Sequence, residues 1–173
     1  PAMGPLALFF PHGPTPVDPP IAPAASVTPD ACRRIGARLS RWYFSGGGLF
    51  MTTATRNAYF DLVFALRRAS EADGLRARTP DSGVLRALLD AGEGLNDTAI
   101  DWRAVARGGW DFGTTPVDGL AEFARDTSSA ERVGAAVARI GAERADWLVL
   151  QRMSSRFRTA CVEDIRSRHA VEA

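Results

Sequence analysis

The prolines of this chain are crowded into one end, and that distribution limits what its first part can fold into. Nine of the eleven prolines lie at or before Pro29, and Asp18 is the one formally charged side chain within residues 5–27. Proline fixes φ and has no backbone N–H, so such a stretch forms neither a helix nor a central strand. The sequence therefore predicts an extended, polyproline-like arm.

One domain is expected behind this arm. The length of 173 residues suits one domain, and a 46% hydrophobic composition supplies a core without metals or disulfides. We expect residues 1–4 to be the remnant of an expression tag, 5–27 to form the arm and 28–173 to form the helical domain. No apolar run approaches the roughly 20 residues of a membrane span, and the short run 6–10 lacks the basic flank of a signal peptide. We therefore expect a soluble protein, located in the cytoplasm or delivered into a host cell.

The chain contains no lysine, and all of its basic side chains are arginine. A GC-rich genome explains this, because asparagine and isoleucine are scarce while alanine, glycine and arginine abound. Selection against ubiquitin acceptors is the alternative, since lysine is the acceptor. That alternative suits an effector protein.

The arm carries candidate partner-binding residues. Its PxxP spacings match the pattern of SH3 ligands, but no basic residue flanks them. The apolar side chains of Leu8, Phe9 and Phe10 are expected to pack on the helical body or on a neighbouring protein.

Beyond the arm, threonine–proline pairs and capping residues predict where helices begin. A threonine at N-cap followed by proline at N1 satisfies one backbone N–H and removes another. Thr28, Thr79 and Thr115 have this form, while Thr98 and Ser128 precede an acidic residue by three positions. No segment shows sustained alternation, so we predict no strands. The fold class is all-α, a single bundle of about five to six helices with a long C-terminal helix, over residues 29–44, 52–73, 80–92, 98–107, 115–126 and 128–169.

Few residues suit catalysis or metal binding. The histidines are His12 and His169, near opposite ends, and neither lies in a metal-binding frame. Cys32 and Cys161 fall in predicted helices, where buried thiols or one bridge between the first and last helices are the alternatives. The glycine run that follows Ser45 resembles no phosphate loop and is interpreted as a flexible joint. We expect no cofactor and no metal.

A segment rich in tryptophan and glycine is the candidate ligand site. Trp102, Trp110 and Asp111 surround the pair Gly108-Gly109, where tryptophan offers a flat anchor and glycine allows close approach. These residues are candidates for partner or small-ligand binding. The alternative is that both tryptophans close one end of the bundle.

Arginines cluster in the first and last helices, and one more lies at the start of the second. Such rows contact phosphates in nucleic-acid-binding proteins, although solvated or self-paired faces have the same pattern. The candidate anion or nucleic-acid contacts are Arg34, Arg38, Arg41, Arg56, Arg152 and Arg156.

The sequence favours a non-catalytic helical protein–protein interaction module, such as an adaptor, an effector domain or a viral or phage structural component. Its partner would be another protein or a second copy. The alternatives are a nucleic-acid-binding domain that uses the arginine rows, and a metal-independent enzyme or small-ligand pocket around Trp102, Trp110 and Asp111.

Overall fold

The computed structural model describes residues 27–75, 77, 95–138 and 144–171, with Val117 and residues 168–171 described by their backbone alone. The predicted all-α class is confirmed, since the described residues form helices and helical turns and no strand. Their sole β-bridge joins Ile100 to Ala124. The helices are α1 (Pro29–Phe44), α2 (Thr53–Glu71), a short α3 (Trp102–Ala104), α4 (Thr127–Ala138) and α5 (Ala145–Val171).

Three further helical turns connect these helices. A 3-10 turn (Gly47–Phe50) lies between α1 and α2, and a second one (Val117–Phe123) precedes α4. A π turn (Val105–Gly109) continues α3.

Helix α1 begins where its threonine–proline pair predicts. The Thr28 side chain accepts a hydrogen bond from Ala31 N at 3.1 Å, and Pro29 occupies the first helical position. The helix buries Cys32, Ile35 and Leu39. This three- and four-residue spacing places one side of α1 against the core.

The centre of the fold is the antiparallel pair of α2 and α5. At one end Thr52 N donates to Asp164 Oδ2 at 3.0 Å, and the Tyr59 ring meets the Phe157 ring edge-on at 5.9 Å. Helix α2 has an apolar stripe in which Tyr59, Leu62 and Leu66 are buried. The long C-terminal helix is also confirmed, because α5 spans 27 residues.

Two predicted helix starts are wrong because a different side chain caps the backbone. The helix expected at 98–107 begins at Trp102, where the Asp101 carboxylate accepts from two backbone N–H groups. Thr98 instead donates to the side-chain oxygen of Asn96, which also accepts from Ala99 N.

The second of these starts is that of α4. The side chain of Asp126, rather than that of Ser128, caps α4 and accepts from Ser129 N at 2.7 Å. Asp126 also accepts a hydrogen bond from the Ser129 hydroxyl. The hydrogen bonds from the backbone N–H and the hydroxyl of Ser129 lower the pKa of Asp126.

The expected helices 115–126 and 128–169 also differ in form. The first is a 3-10 turn whose start has no side-chain cap, since Thr115 Oγ1 accepts from Asp111 N instead. In place of the second there are two helices, α4 and α5, with residues 139–143 outside the described part. The arm and the helix expected at 80–92 lie outside the described residues.

Cys32 and Cys161 are free thiols, and Cys32 is buried. Burial, together with the charge of Asp146, raises the pKa of Cys32 to about 12. No helix in the described ranges is long and apolar enough to cross a membrane.

Candidate functional site

The junction of α1 and α2 exposes large apolar side chains to solvent. Phe44 and Leu49 are each 82% exposed, Phe50 is 65% exposed and Trp42 is 42% exposed. We call these four residues the aromatic corner. Scattered single apolar residues are normal on a protein surface, but a cluster within nine residues of chain is typical of an interaction site.

Three glycines form the turn of this corner. Gly46 ends α1 with φ of +114°, a conformation that side-chain-bearing residues rarely adopt. A Cβ on Gly47 would lie 2.4 Å from the Trp42 ring, and one on Gly48 would lie 2.5 Å from the Tyr43 ring. The glycine run is therefore a packed turn whose backbone lies against two aromatic rings. The interpretation as a flexible joint did not anticipate this packing.

Contacts between the aromatic rings of α1 and those of the core hold the corner in place. Tyr43 stacks on Tyr59 with ring centroids 4.5 Å apart, and Trp42 meets Phe157 edge-on at 6.3 Å. Tyr59 and Phe157 are themselves buried in the core, on α2 and α5. The exposed side chains therefore project from an ordered base, which lowers the entropy lost on binding.

A row of arginines leads along α1 to the corner. Arg34, Arg38 and Trp42 follow one another at a spacing of four, which places them along one side of the helix. Arg34 pairs with Asp30. Arg38 and Arg41 are exposed, and neither has a carboxylate within ion-pair distance among the described residues. Among the described residues, the positive charges of Arg38 and Arg41 beside the corner therefore have no carboxylate partner.

The candidate site around Trp102 and Trp110 has a different arrangement from the one expected. Both rings are buried, with Trp102 Nε1 donating to Leu95 O at 3.3 Å and Trp110 Nε1 donating to Asp146 Oδ1 at 2.9 Å. Neither ring is accessible to a partner, so the alternative in which they close the bundle fits the structure. Asp111 is exposed and pairs with Arg68 at 2.6 Å.

The arginines of α5 lie in a polar groove rather than in an open row. The groove encloses about 420 Å³ between α2, α5 and the segment at Asp97. Arg156 Nε contacts Asp97 Oδ2 at 3.0 Å, and its Nη1 lies 3.5 Å from Asp61 Oδ2. Arg152 is half-buried, and desolvation lowers its pKa against the opposing charge of Asp97. Ion pairing therefore offsets most of the positive charge at this groove.

The buried Asp61 carboxylate links three elements. It lies in α2, is 1% exposed, and pairs with Arg107 Nε of the π turn at 3.3 Å as well as with Arg156 of α5. A buried carboxylate needs such partners, since desolvation of an unpaired charge is costly. Asp61 therefore holds the π turn and α5 against α2.

Four candidate residues remain, of which the structure describes Arg56. Arg56 is exposed near the start of α2, and no described carboxylate lies within ion-pair distance of it. Leu8, Phe9 and Phe10 lie outside the described residues. Within the described ranges, no group of three histidine, cysteine or acidic side chains could hold a metal ion.

Sequence reasoning missed the aromatic corner, although a signal was present. Leu49 and Phe50 directly follow a glycine run, and turns seldom carry two large apolar residues unless these are buried or bind something. No protein-family model matches this chain, and neither a curated protein nor a solved structure matches it.

Proposed function

We propose that this chain is a non-catalytic helical interaction module that binds a partner protein through the aromatic corner. The observation that carries the proposal is the exposure of Phe44 at the end of α1 and of Leu49 on a turn whose glycines pack against the Trp42 and Tyr43 rings. Aromatic anchors on an ordered base are typical of the residues that dominate binding energy at protein interfaces.

The charges beside the corner define the chemistry of the partner. Because Arg38 and Arg41 have no described carboxylate partner, a complementary segment would combine apolar anchors with acidic side chains. Complementary charge accelerates association and selects among partners. The arginines give less support to nucleic-acid binding, since Arg34 and Arg156 are already paired with carboxylates.

Affinity purification from the native source, read by mass spectrometry, tests the proposal with matched baits. The corner bait carries Leu49→Ser and Phe50→Ser, and the control bait carries Val162→Ser, which alters an exposed apolar residue of α5. We expect the unmodified chain and the control to capture the same acidic, apolar partner, and the corner bait to lose it. A partner that the corner bait retains in full contradicts the proposal.

Two further measurements separate the other binding modes. Sedimentation of the purified chain shows whether the corner binds a second copy, in which case the corner substitutions should shift a dimer to monomer. A full-length bait in which Leu8, Phe9 and Phe10 are replaced by serine reports on the arm. Loss of the partner from that bait, but not from the corner bait, would transfer the binding site to the arm.

A further inference from the structure

A second cavity, of about 520 Å³, lies beside the π turn and is lined by Phe60, Phe64, Arg68, Ala106 and Arg107. Phe60, Phe64 and Arg68 follow one another at a spacing of four along α2, so they lie along one side of that helix. Ala106 and Arg107 belong to the π turn, which packs against α2. The volume falls within the range of roughly 300–1,000 Å³ that is typical of small-molecule sites.

The two guanidinium groups have hydrogen-bond donors that the described residues do not use. Arg68 donates from Nη2 to Asp111, while its Nη1 is buried and has no hydrogen-bond partner in the part of the chain that the structure describes. Arg107 is half exposed and pairs through Nε with Asp61. Its two terminal NH₂ groups make no hydrogen bond to another described residue. Because Arg68 Nη1 is closed to solvent, the terminal NH₂ groups of the half-exposed Arg107 are the donors that an oxyanion in the cavity can reach.

The apolar part of the pocket complements these donors. Phe64 is 46% exposed, and Phe60 is half-buried beside it. A flat apolar group placed on these rings would remove apolar surface of both partners from water. The carboxylates of Asp61 and Asp111 offset the charges of Arg107 and Arg68. The pocket therefore suits a ligand with one negative charge better than a highly charged ligand.

We propose that this pocket binds a small organic anion with a flat apolar body and one carboxylate. The apolar body lies on Phe60 and Phe64, and the carboxylate accepts hydrogen bonds from the terminal NH₂ groups of Arg107, beside the Arg68 guanidinium. Planar guanidinium groups suit this role, because they bind carboxylates through two parallel N–H donors. The proposal does not depend on the partner of the aromatic corner.

Titration of the full chain with 2-naphthoate, followed by the NMR signals of the backbone amides and the arginine Nε–Hε groups, tests the proposal. We expect saturable binding, with the largest shifts at Arg107, Arg68 and the amides near Phe64. Naphthalene-2-methanol lacks the charge and acetate lacks the ring, so each should bind at least about tenfold more weakly than naphthoate, a difference of about 1.4 kcal/mol.

Variants of the full chain assign the site. Arg107→Gln removes the main donor, and Phe64→Ser removes an exposed ring without opening the core. Each should raise the Kd for naphthoate at least about tenfold, or by about 1.4 kcal/mol. Arg67→Gln is the matched control, since Arg67 adjoins Arg68 in α2 but pairs only with Glu71 among the described residues, and it should leave the Kd unchanged. If Arg107→Gln fails to fold because Asp61 loses a partner, Phe64→Ser still decides.

Several results would overturn the proposal. They are no saturable binding, equal binding of naphthoate and the neutral alcohol, shifts centred on Phe50, or an unchanged Kd in Phe64→Ser. If Phe64→Ser instead abolishes capture of a protein partner while naphthoate fails to bind, the pocket belongs to a protein interface and the small-anion proposal is wrong.

Discussion

Two regions of this molecule combine aromatic side chains with consecutive glycines. One region exposes its aromatic rings to solvent, and the other buries them. In the aromatic corner, Gly47 and Gly48 lie against the Trp42 and Tyr43 rings, while Phe44 and Leu49 face solvent. In the tryptophan turn, which we define as residues 102–113, a Cβ on Gly109 would lie 2.3 Å from the Phe123 ring, yet Trp102 and Trp110 are buried. Glycine beside an aromatic residue therefore predicts close packing of backbone on a ring, but not which rings remain exposed.

The difference between the two regions comes from partners that are distant in sequence. Trp110 is covered because Asp146, 36 residues later, accepts its N–H and places the start of α5 against it. The second oxygen of Asp146 accepts from Gly113 N at 3.0 Å. Leu49, by contrast, is 82% exposed. Burial is thus decided by the element that packs on the turn, rather than by the turn itself.

Removal of the Asp146 carboxylate should have the largest effect on stability. Asp146→Ala would leave Trp110 Nε1 and Gly113 N as buried donors without their acceptor. We expect the free energy of unfolding to fall by about 2–5 kcal/mol, measured by urea denaturation. A loss below about 1 kcal/mol, the size of a typical single substitution, would mean that another group closes the tryptophan turn.

A matched pair of tryptophan substitutions compares the two regions directly. Trp110→Phe removes a buried N–H donor and leaves a cavity, so it should cost about 2–4 kcal/mol. Trp42→Phe changes a partly exposed ring and should cost under about 1 kcal/mol. Thermal unfolding of both variants measures the difference. Equal losses would show that Trp42 is as enclosed as Trp110.

The two cysteines give a comparison that depends on pH. The pKa of Cys32 is raised from its ordinary value of 9.0 to about 12, because burial and Asp146 disfavour the thiolate. As the pH rises, the unfolded chain loses the Cys32 thiol proton before the folded chain does. The stabilising contribution of the protonated thiol is therefore complete below about pH 9 and is lost as the pH rises towards 12. We expect the free energy of unfolding to decline above pH 9, and to decline less steeply in Cys32→Ala than in the unmodified chain.

Cys161 serves as the internal control for this prediction. Its pKa is raised by partial burial and by Asp164, but the side chain is not fully enclosed. In the folded protein, a thiol reagent at pH 8 should modify Cys161 well before Cys32. Equal rates for both thiols would mean that the region around Cys32 opens readily.

Substitution of Leu49 by serine should have the smallest effect on stability. Because Leu49 is 82% exposed, Leu49→Ser should change the free energy of unfolding by no more than about 0.5 kcal/mol. Chemical denaturation checks this. A loss above about 1 kcal/mol would show that another part of the chain covers the corner, and would weaken the case for a free binding surface.

Much of the fold follows from local sequence signals, and the exceptions have a common cause. Thr28-Pro29 predicts the start of α1 because the cap and the first turn are adjacent in the chain. The signal at Thr98 fails because Asn96, two residues earlier, accepts its N–H and hydroxyl. When several polar side chains can reach the same backbone groups, composition alone does not decide which one caps the helix.

The candidate site was less predictable than the fold. Trp110 and Leu49 each follow a glycine, yet Trp110 is buried against the start of α5 and Leu49 is exposed. The pairing of Asp61 with Arg107 joins residues 46 positions apart, and no local pattern announces it. Exposed anchors and buried ion pairs depend on tertiary contacts, which periodicity and capping signals do not specify.

The pairing of α2 with α5 has a consequence for how the chain folds during synthesis. The hydrogen bonds between Thr52 and Asp164 span 112 residues, so the apolar stripe of α2 leaves the ribosome long before its partner exists. At roughly 5–20 residues per second, that interval lasts on the order of 5–20 seconds, much longer than a helix needs to form. During this time the nascent α2 can be shielded by α1, by the π turn once it has been synthesised, by transient collapse or by a chaperone. Slow synthesis should therefore lower the yield of this protein more than that of a bundle whose neighbouring helices are consecutive in sequence.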